Sequence, residues 1–336
     1  MIDNLKKSKD LIEKKLPVND IDYTILCKKF NRKFNKEKLN RLLKSINNTY
    51  IYNFIDVIKS IDKSKYLDNF YSNLFNSKII KNRLLHKILL DKEDFGENII
   101  TKRNNYIILG NTKDLEENDA ELTPYHELLH LSTTKIDNKA IRIGFQYNDF
   151  AVGLNEGYTE LLTKRYFSKL GKKDFNAYIH FKWFSNMLEE IIGKDIFEDL
   201  YFNSNIVELI IEIEKYISRE KVFNLIEDMD LLFNSESELY DYEKRFLYLK
   251  EQLDSNEIDN YFDINRELLN RIYNTFIEIN ENKEKITGNK SDFKEKNSKI
   301  KNDYDHEEEL YREYFKDEKN STKKRGIKKW IILKKY

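Results

Sequence analysis

Two short stretches carry residue types able to hold a metal ion and to move a proton beside it. The first is Thr123-Pro124-Tyr125-His126-Glu127-Leu128-Leu129-His130, and the second is Gly153-Leu154-Asn155-Glu156-Gly157-Tyr158-Thr159-Glu160. On an α-helix, residues i and i+4 lie on one face a turn apart, so His126 and His130 can direct both imidazoles at one cation. Glu127 is rotated by one residue. From there it can reach a metal-bound water without ligating the metal, the arrangement in which H-E-x-x-H uses its Glu as a general base. Catalytic zinc takes three protein ligands plus a water, so a third ligand must come from another element. Glu156, at the start of a second expected helix, is the best candidate. Glu160 follows one turn later on the same face. Its spacing suits the carboxylate that accepts a ligating histidine's other N–H and orients His126 or His130. Gly157 is a poor helix former and makes sense if two helices approach closely there.

The elements that must position these residues can be read from periodicity. Only two prolines, Pro17 and Pro124, and nine glycines occur in 336 residues, which favours long helices. Apolar residues at i, i+3, i+4, i+7 mark helical core faces at Leu39, Leu42, Leu43, Ile46, where Asn35 suits the N-cap, and at Leu67, Phe70, Tyr71, Leu74. The character changes at Phe95-Gly96. Residues 97–101 and 106–109 are short and Ile-rich, and Lys102-Arg103-Asn104-Asn105 between them suits the turn of a β-hairpin. Thr123 is a good N-cap, with Pro124 at the first helical position where a missing N–H costs nothing. Residues 139–147 read as another strand or hairpin arm. The second helix is expected over 155–170, ended by Gly171 at the C′ position, where glycine is favoured.

Further helical stripes follow at Phe181, Phe184, Leu188, Ile191, Ile192, then at Ile206, Leu209, Ile210, Ile213, then at Leu268, Leu269, Ile272, Phe276. The expected fold is α+β, mostly helical, with a small antiparallel sheet beside the HExxH helix. The expected organisation is an N-terminal helical region over 1–95, a metal-site core over 96–172, a C-terminal helical domain over 173–282 and a charged tail over 283–336.

Bulk composition bounds the function. Hydrophobic residues make up 40% of the chain and charged residues 35%, which suits a soluble globular protein with a charged surface. Lys and Arg total 59 and Asp and Glu total 59, a net charge of zero, which argues against nucleic acid as a partner. The single cysteine, Cys27, allows no intramolecular disulfide. No apolar secretory segment opens the chain and no apolar run reaches membrane-spanning length, so the expectation is a cytoplasmic protein without membrane contact. His86 and His306 have no comparable partners in sequence and are assigned no role.

His126-Glu127-x-x-His130 followed by Asn155-Glu156-Gly157-x-x-Glu160 resembles the gluzincin metallopeptidases, which include the thermolysin-like enzymes and an aminopeptidase branch. The string GLNEGYTELLTKRYF over 153–167 also resembles uncharacterised zinc-peptidase-like proteins of low-GC bacteria. The resemblance covers about residues 95–170 and implies a zincin-like core. It makes His126, His130 and Glu156 ligands of Zn2+, Glu127 the base that activates water, and Glu160 and Asn155 residues behind the ligands. Gluzincins supply a transition-state-stabilising Tyr or His downstream. By position Tyr178 and His180 come first for that role, with Tyr147, Tyr158 and Tyr201 behind them. The Gly-Ala-Met-Glu-Asn exopeptidase motif of the aminopeptidase branch has no counterpart upstream of His126.

The expected function is therefore zinc-dependent hydrolysis of peptide bonds in a peptide or protein substrate. Two other readings stay open: a non-catalytic, degenerate peptidase fold acting as a helical interaction module, and a zinc hydrolase of a non-peptide amide.

Overall fold

The structure is a computed structural model in which residues 49–75, 77–81, 96–100, 105–109, 121–136, 140–171, 178–244 and 255–298 are described. The helix expected at 39–46 with its Asn35 cap, Cys27, His86 and His306 lie outside the described residues. The protein is mostly helical with a small three-stranded sheet, an α+β fold. Its chain divides into two compact units. The first comprises Met1–Gly144, Leu162–Phe175 and Phe202–Ser204, and the second Phe145–Leu161, Asn176–Tyr201 and Asn205–Tyr336.

The first unit begins with helices α1 (Thr49–Ser60) and α2 (Leu67–Phe75), joined through a 3-10 turn at Ser64–Tyr66. On α1, Ile51, Phe54, Ile55 and Ile58 form one buried stripe. On α2, Leu67, Phe70 and Leu74 do the same, while Tyr71 is half-buried. Strands β1 (Ser77–Lys81), β2 (Gly96–Ile100) and β3 (Asn105–Leu109) form the sheet, with β3 in the middle. The expected hairpin is present: β2 and β3 run antiparallel, with Asn98 opposite Ile107. β1 joins the other edge of β3 in parallel, with Ile79 opposite Ile107, so the sheet is mixed. Ile107, on the central strand, is fully buried.

Helix α3 (Thr123–Thr133) carries H-E-x-x-H, and α1, α2, β2 and β3 all pack against it. Every residue from Pro124 to Thr133 is buried, as expected of a helix enclosed on all sides rather than lying on a surface. Aromatic rings fill the space around its first turn. Tyr125 stacks on Phe167 at 4.9 Å between centroids, Phe167 stacks on Phe54 at 5.4 Å, and Phe54 meets Phe70 at 4.7 Å. Strands β4 (Lys135–Ile136) and β5 (Ile141–Ile143) then pair antiparallel. Of these, β5 falls in the stretch read from the sequence at 139–147, as does β6 (Gln146–Tyr147) in the second unit, whereas β4 precedes it.

The second unit contains most of helix α4 (Val152–Phe167), then α5 (Ile179–Ile192), α6 (Lys194–Phe202), α7 (Ile206–Glu214), α8 (Arg219–Lys244), α9 (Ser255–Thr287) and α10 (Phe293–Asn297). Helices α8 and α9 lie side by side. Their ion pairs Lys221–Glu278 and Arg271–Asp228 advance in opposite directions, so the two helices are antiparallel. Such exposed pairs add only about 0–1 kcal/mol each. The apolar faces hold the helices together: Val222, Leu225, Ile226, Met229 and Leu232 from α8, with Leu268, Leu269, Ile272, Phe276 and Ile279 from α9. α5 adds Phe184, which stacks on Phe276. In the charged tail read from 283 onward, Phe293 is fully buried, and Ser291 ties the turn before it to Asn280 and Glu284. Among the described residues no helix is long and apolar enough to cross a membrane.

Two glycines differ in what they do. Gly157 on α4 lies so close to α5 that a Cβ there would stand 2.3 Å from the Phe181 carbonyl carbon and oxygen. Gly171 does end the helical segment, directly after Leu170, but with an extended backbone, φ −132°. Its missing Cβ matters because that atom would fall 2.8 Å from a Leu122 methyl. α4 also ends earlier than expected, its last turn tightening into a 3-10 segment at Ser168–Leu170. Gly157→Ala forces backbone apart rather than a flexible side chain. It should lower unfolding free energy by about 1–3 kcal/mol in chemical denaturation, the usual cost of overpacking.

Candidate metal centre

The start of α3 differs from the cap read in its sequence. Thr123 is the first helical residue and Pro124 the second, and no side chain caps the helix. The Leu122 carbonyl accepts the N–H groups of Tyr125 and His126, which begins the hydrogen-bond ladder one residue early. Pro124 still sits where its missing N–H leaves no gap. The Tyr125 hydroxyl accepts a hydrogen bond from the Asn53 amide at 3.0 Å. Burial pushes that phenol's pKa up, and the Asn53 bond pulls the other way. Tyr125 thus anchors the turn preceding the histidines.

His126 and His130 project from one face of α3, as their spacing requires. Their Nε2 atoms are 3.0 Å apart, with the two rings inclined at 75°. Two nitrogens each about 2.0 Å from one tetrahedral zinc lie about 3.3 Å apart, close to this separation. Glu156 on α4 completes the group: one ligand atom from each of His126, His130 and Glu156 lies within 4.8 Å of the others. Both histidines are buried and Glu156 is half-buried. Two imidazole nitrogens and one carboxylate oxygen suit a borderline transition ion better than magnesium or calcium, which prefer oxygen donors. This buried group could hold a metal ion. Glu127 is buried beside it on α3, and Glu160 is buried one turn beyond Glu156 on α4.

Helix α4 is fixed by groups that come from far along the chain. Asp230 of α8 sits across its N-terminus, accepting the Ala151 N–H at 2.7 Å and the Gly153 N–H at 3.0 Å. Burial raises the Asp230 carboxyl's pKa, while the backbone N–H groups of Gly153, Ala151 and Val152 draw it down. Ala151, just before the helix, has φ +61°, a left-handed conformation that this capping supports. Asn155 accepts the Phe145 N–H at 3.2 Å through its side-chain oxygen, which ties α4 to the preceding loop. The Ser185 hydroxyl of α5 donates to the Leu154 carbonyl.

The aromatic candidates separate clearly. Tyr158 is fully buried, and its hydroxyl donates to Glu189 at 2.6 Å. Tyr201 is fully buried with its hydroxyl 2.7 Å from that of Thr159. Both rings pack against Phe145 and against each other, and Tyr158 also meets Phe197, so they belong to the core of the second unit. Tyr147 is exposed on β6. Tyr178 stands at the head of α5 with φ +55°, its ring against Phe233. His180 is buried on the first turn of α5, its Nδ1 2.7 Å from Glu236 Oε1, and it faces Trp183 edge-on. Phe181, the next residue, is the one that Gly157 abuts, which brings the start of α5 to the part of α4 that carries Glu156.

Residues the motifs did not point to include Asn53, Asn69, Asn73, Ser204 and Asp230. Asn69 and Asn73 had a sequence signal, two amides one helical turn apart in a segment whose other face is apolar. Asp230 had none, since its partners lie 77 and 79 residues away. No protein-family model, no curated protein and no solved structure matches the chain.

Asp230→Ala leaves the N–H groups at the head of α4 without their acceptor. It should lower stability by about 1 kcal/mol, the usual cost of losing an N-cap, read as a shift in the denaturation midpoint with an unchanged slope.

Proposed function

We propose that the protein is a zinc-dependent metallopeptidase of gluzincin type, acting on peptide or protein substrates. One observation carries this reading: the ligand atoms of His126, His130 and Glu156 converge within 4.8 Å, with Glu127 buried on the same helix as the two histidines. A site that only stored a structural ion would need the three ligands. The H-E-x-x-H spacing adds a carboxylate one residue along from the first histidine, where it can reach a metal-bound water and serve as a general base.

Zinc bound by these residues would supply a Lewis acid that lowers the pKa of a water toward ~7 and polarises a carbonyl. The chain's own residues then do the proton work. Glu127 takes the proton from the attacking water and returns it to the leaving amine, so the carboxylate ends the cycle as it began. Glu160 and Asn155 hold the ligands from behind, Glu160 as acceptor for an imidazole N–H and Asn155 through its bond to Phe145. His180 is the stronger of the two candidates for stabilising negative charge on the substrate's carbonyl oxygen. Its ring is held by Glu236, and it sits on the first turn of α5, one residue before the Phe181 that Gly157 abuts. Tyr178 is the other candidate, two residues earlier.

Zinc content of the purified protein and chelator-sensitive cleavage of a peptide library test the proposal together. Glu127→Gln should retain zinc at one ion per chain and lose at least about a hundredfold in kcat, the lower end of what general-base catalysis contributes. Wild-type turnover by that variant would sink the mechanism. His126→Ala should lose the metal itself, and zinc retained at full occupancy would show that the ion is held elsewhere.

A further inference from the structure

The C-terminal end of α3 is finished in an unusual way. The last four carbonyls of a helix have no partner within it. In α3 these belong to His130, Leu131, Ser132 and Thr133. The hydroxyls of Thr133 and Thr134 donate to the His130 carbonyl, at 3.2 and 2.7 Å. The Asn73 amide donates to Leu131 at 2.8 Å, and the Asn69 amide to Ser132 at 2.7 Å. The Ser204 hydroxyl donates to Thr133. Both asparagines reach on to the Thr134 carbonyl, at 3.1 Å from Asn69 and 2.7 Å from Asn73. Every orphan acceptor of this helix end is met by a neutral side-chain donor.

His130 lies in that last turn. Its imidazole meets that of His126 only while the turn keeps helical geometry, and a fraying end would carry His130 away first. The commoner ways to finish a helix would not serve here. A left-handed glycine would end the helix without binding it to anything. A lysine or arginine would satisfy the carbonyls but put a positive charge near a cation site. Two amides from α2, one helical turn apart, avoid both drawbacks. They also join α3 to a helix whose opposite face is buried through Leu67, Phe70 and Leu74.

We propose that Asn69 and Asn73 are positioning residues for the metal site, acting as a neutral clamp that holds the last turn of α3, and with it His130, in ligating geometry. The inference rests on the zinc reading of the site for its consequence, and on the hydrogen bonds alone for its mechanics.

The test is N69D/N73D, which keeps side-chain size and turns each donor into an acceptor facing a carbonyl. N73A serves if the double variant does not fold. Two measurements are made on folded protein. In the metal-free protein, hydrogen exchange of the backbone amides at 130–134 should quicken about tenfold or more, with amides of α8 and α9 unchanged. Zinc affinity should fall about tenfold to a hundredfold, the range for residues that orient ligands, and the visible spectrum of the cobalt-substituted protein should change. Ile279→Val, a core change in α9, should leave zinc affinity and the cobalt spectrum as in wild type. Exchange at 130–134 equal to wild type overturns the clamp. Quickened exchange with wild-type zinc affinity overturns its role at the metal site. If wild type takes up no zinc, the peptidase reading fails by itself, and the exchange experiment still decides the clamp.

Discussion

Much of this structure follows from placing ionisable groups where water is scarce. His126, Glu127, His130 and Glu160 are all buried, and Glu156 is half-buried beside them. A buried carboxylate or imidazole is costly unless a hydrogen bond, an opposite charge or a metal meets it. A cation held by His126, His130 and Glu156 would meet three of these groups at once. The fold around the site can be read as the apparatus that keeps these groups together. Apolar packing does most of it, with α1, α2 and the sheet all packed against α3.

Enclosure alone does not set the position of a helix along its axis. Apolar packing is nondirectional, and a helix can slide or fray by a turn at modest cost. Directional bonds at the helix ends remove that freedom. At α3 the Asn53 amide meets Tyr125 in the first turn, and Asn69, Asn73 and Ser204 meet the last. At α4 the Asp230 carboxylate meets the first N–H groups. The donors and acceptors are matched to what each end lacks. Carbonyls at a C-terminus receive amide and hydroxyl protons, and N–H groups at an N-terminus receive a carboxylate, whose charge also suits the positive end of the helix dipole. Gly157 adds a steric condition, since only a residue without a side chain lets the α5 backbone approach α4 at that level.

The second unit shows the same division of labour. Its long helices are held by apolar faces, and specific polar pairs are made within it: Tyr158 with Glu189, Tyr201 with Thr159, His180 with Glu236. Tyr158 and Tyr201 are thereby committed to the core. His180 instead has its ring orientation set by a carboxylate.

Local features were legible in the sequence because their cause is local. The i, i+4 spacing of His126 and His130 follows from helix geometry, and the stripes on α2, α5 and α9 follow from the same period. The Ile-rich segments around the 101–104 link pair as a hairpin because short links leave antiparallel neighbours adjacent. Even the third member of the group could be suggested, since Glu156 lies on a helix readable from sequence and is followed by Glu160 at one turn. What tertiary structure alone decided is where separate helices meet. Residue type at 230 does not reveal that its carboxylate will cap a helix beginning at Val152, nor does an asparagine at 73 announce a carbonyl at Leu131. Gly171, suited by type to a left-handed helix end, is instead extended and small because Leu122 comes close. Period and propensity act over a few residues, whereas contacts between elements far apart in sequence depend on the packing of the whole chain. The motif named the residues that could share a metal ion, and the fold brought them together.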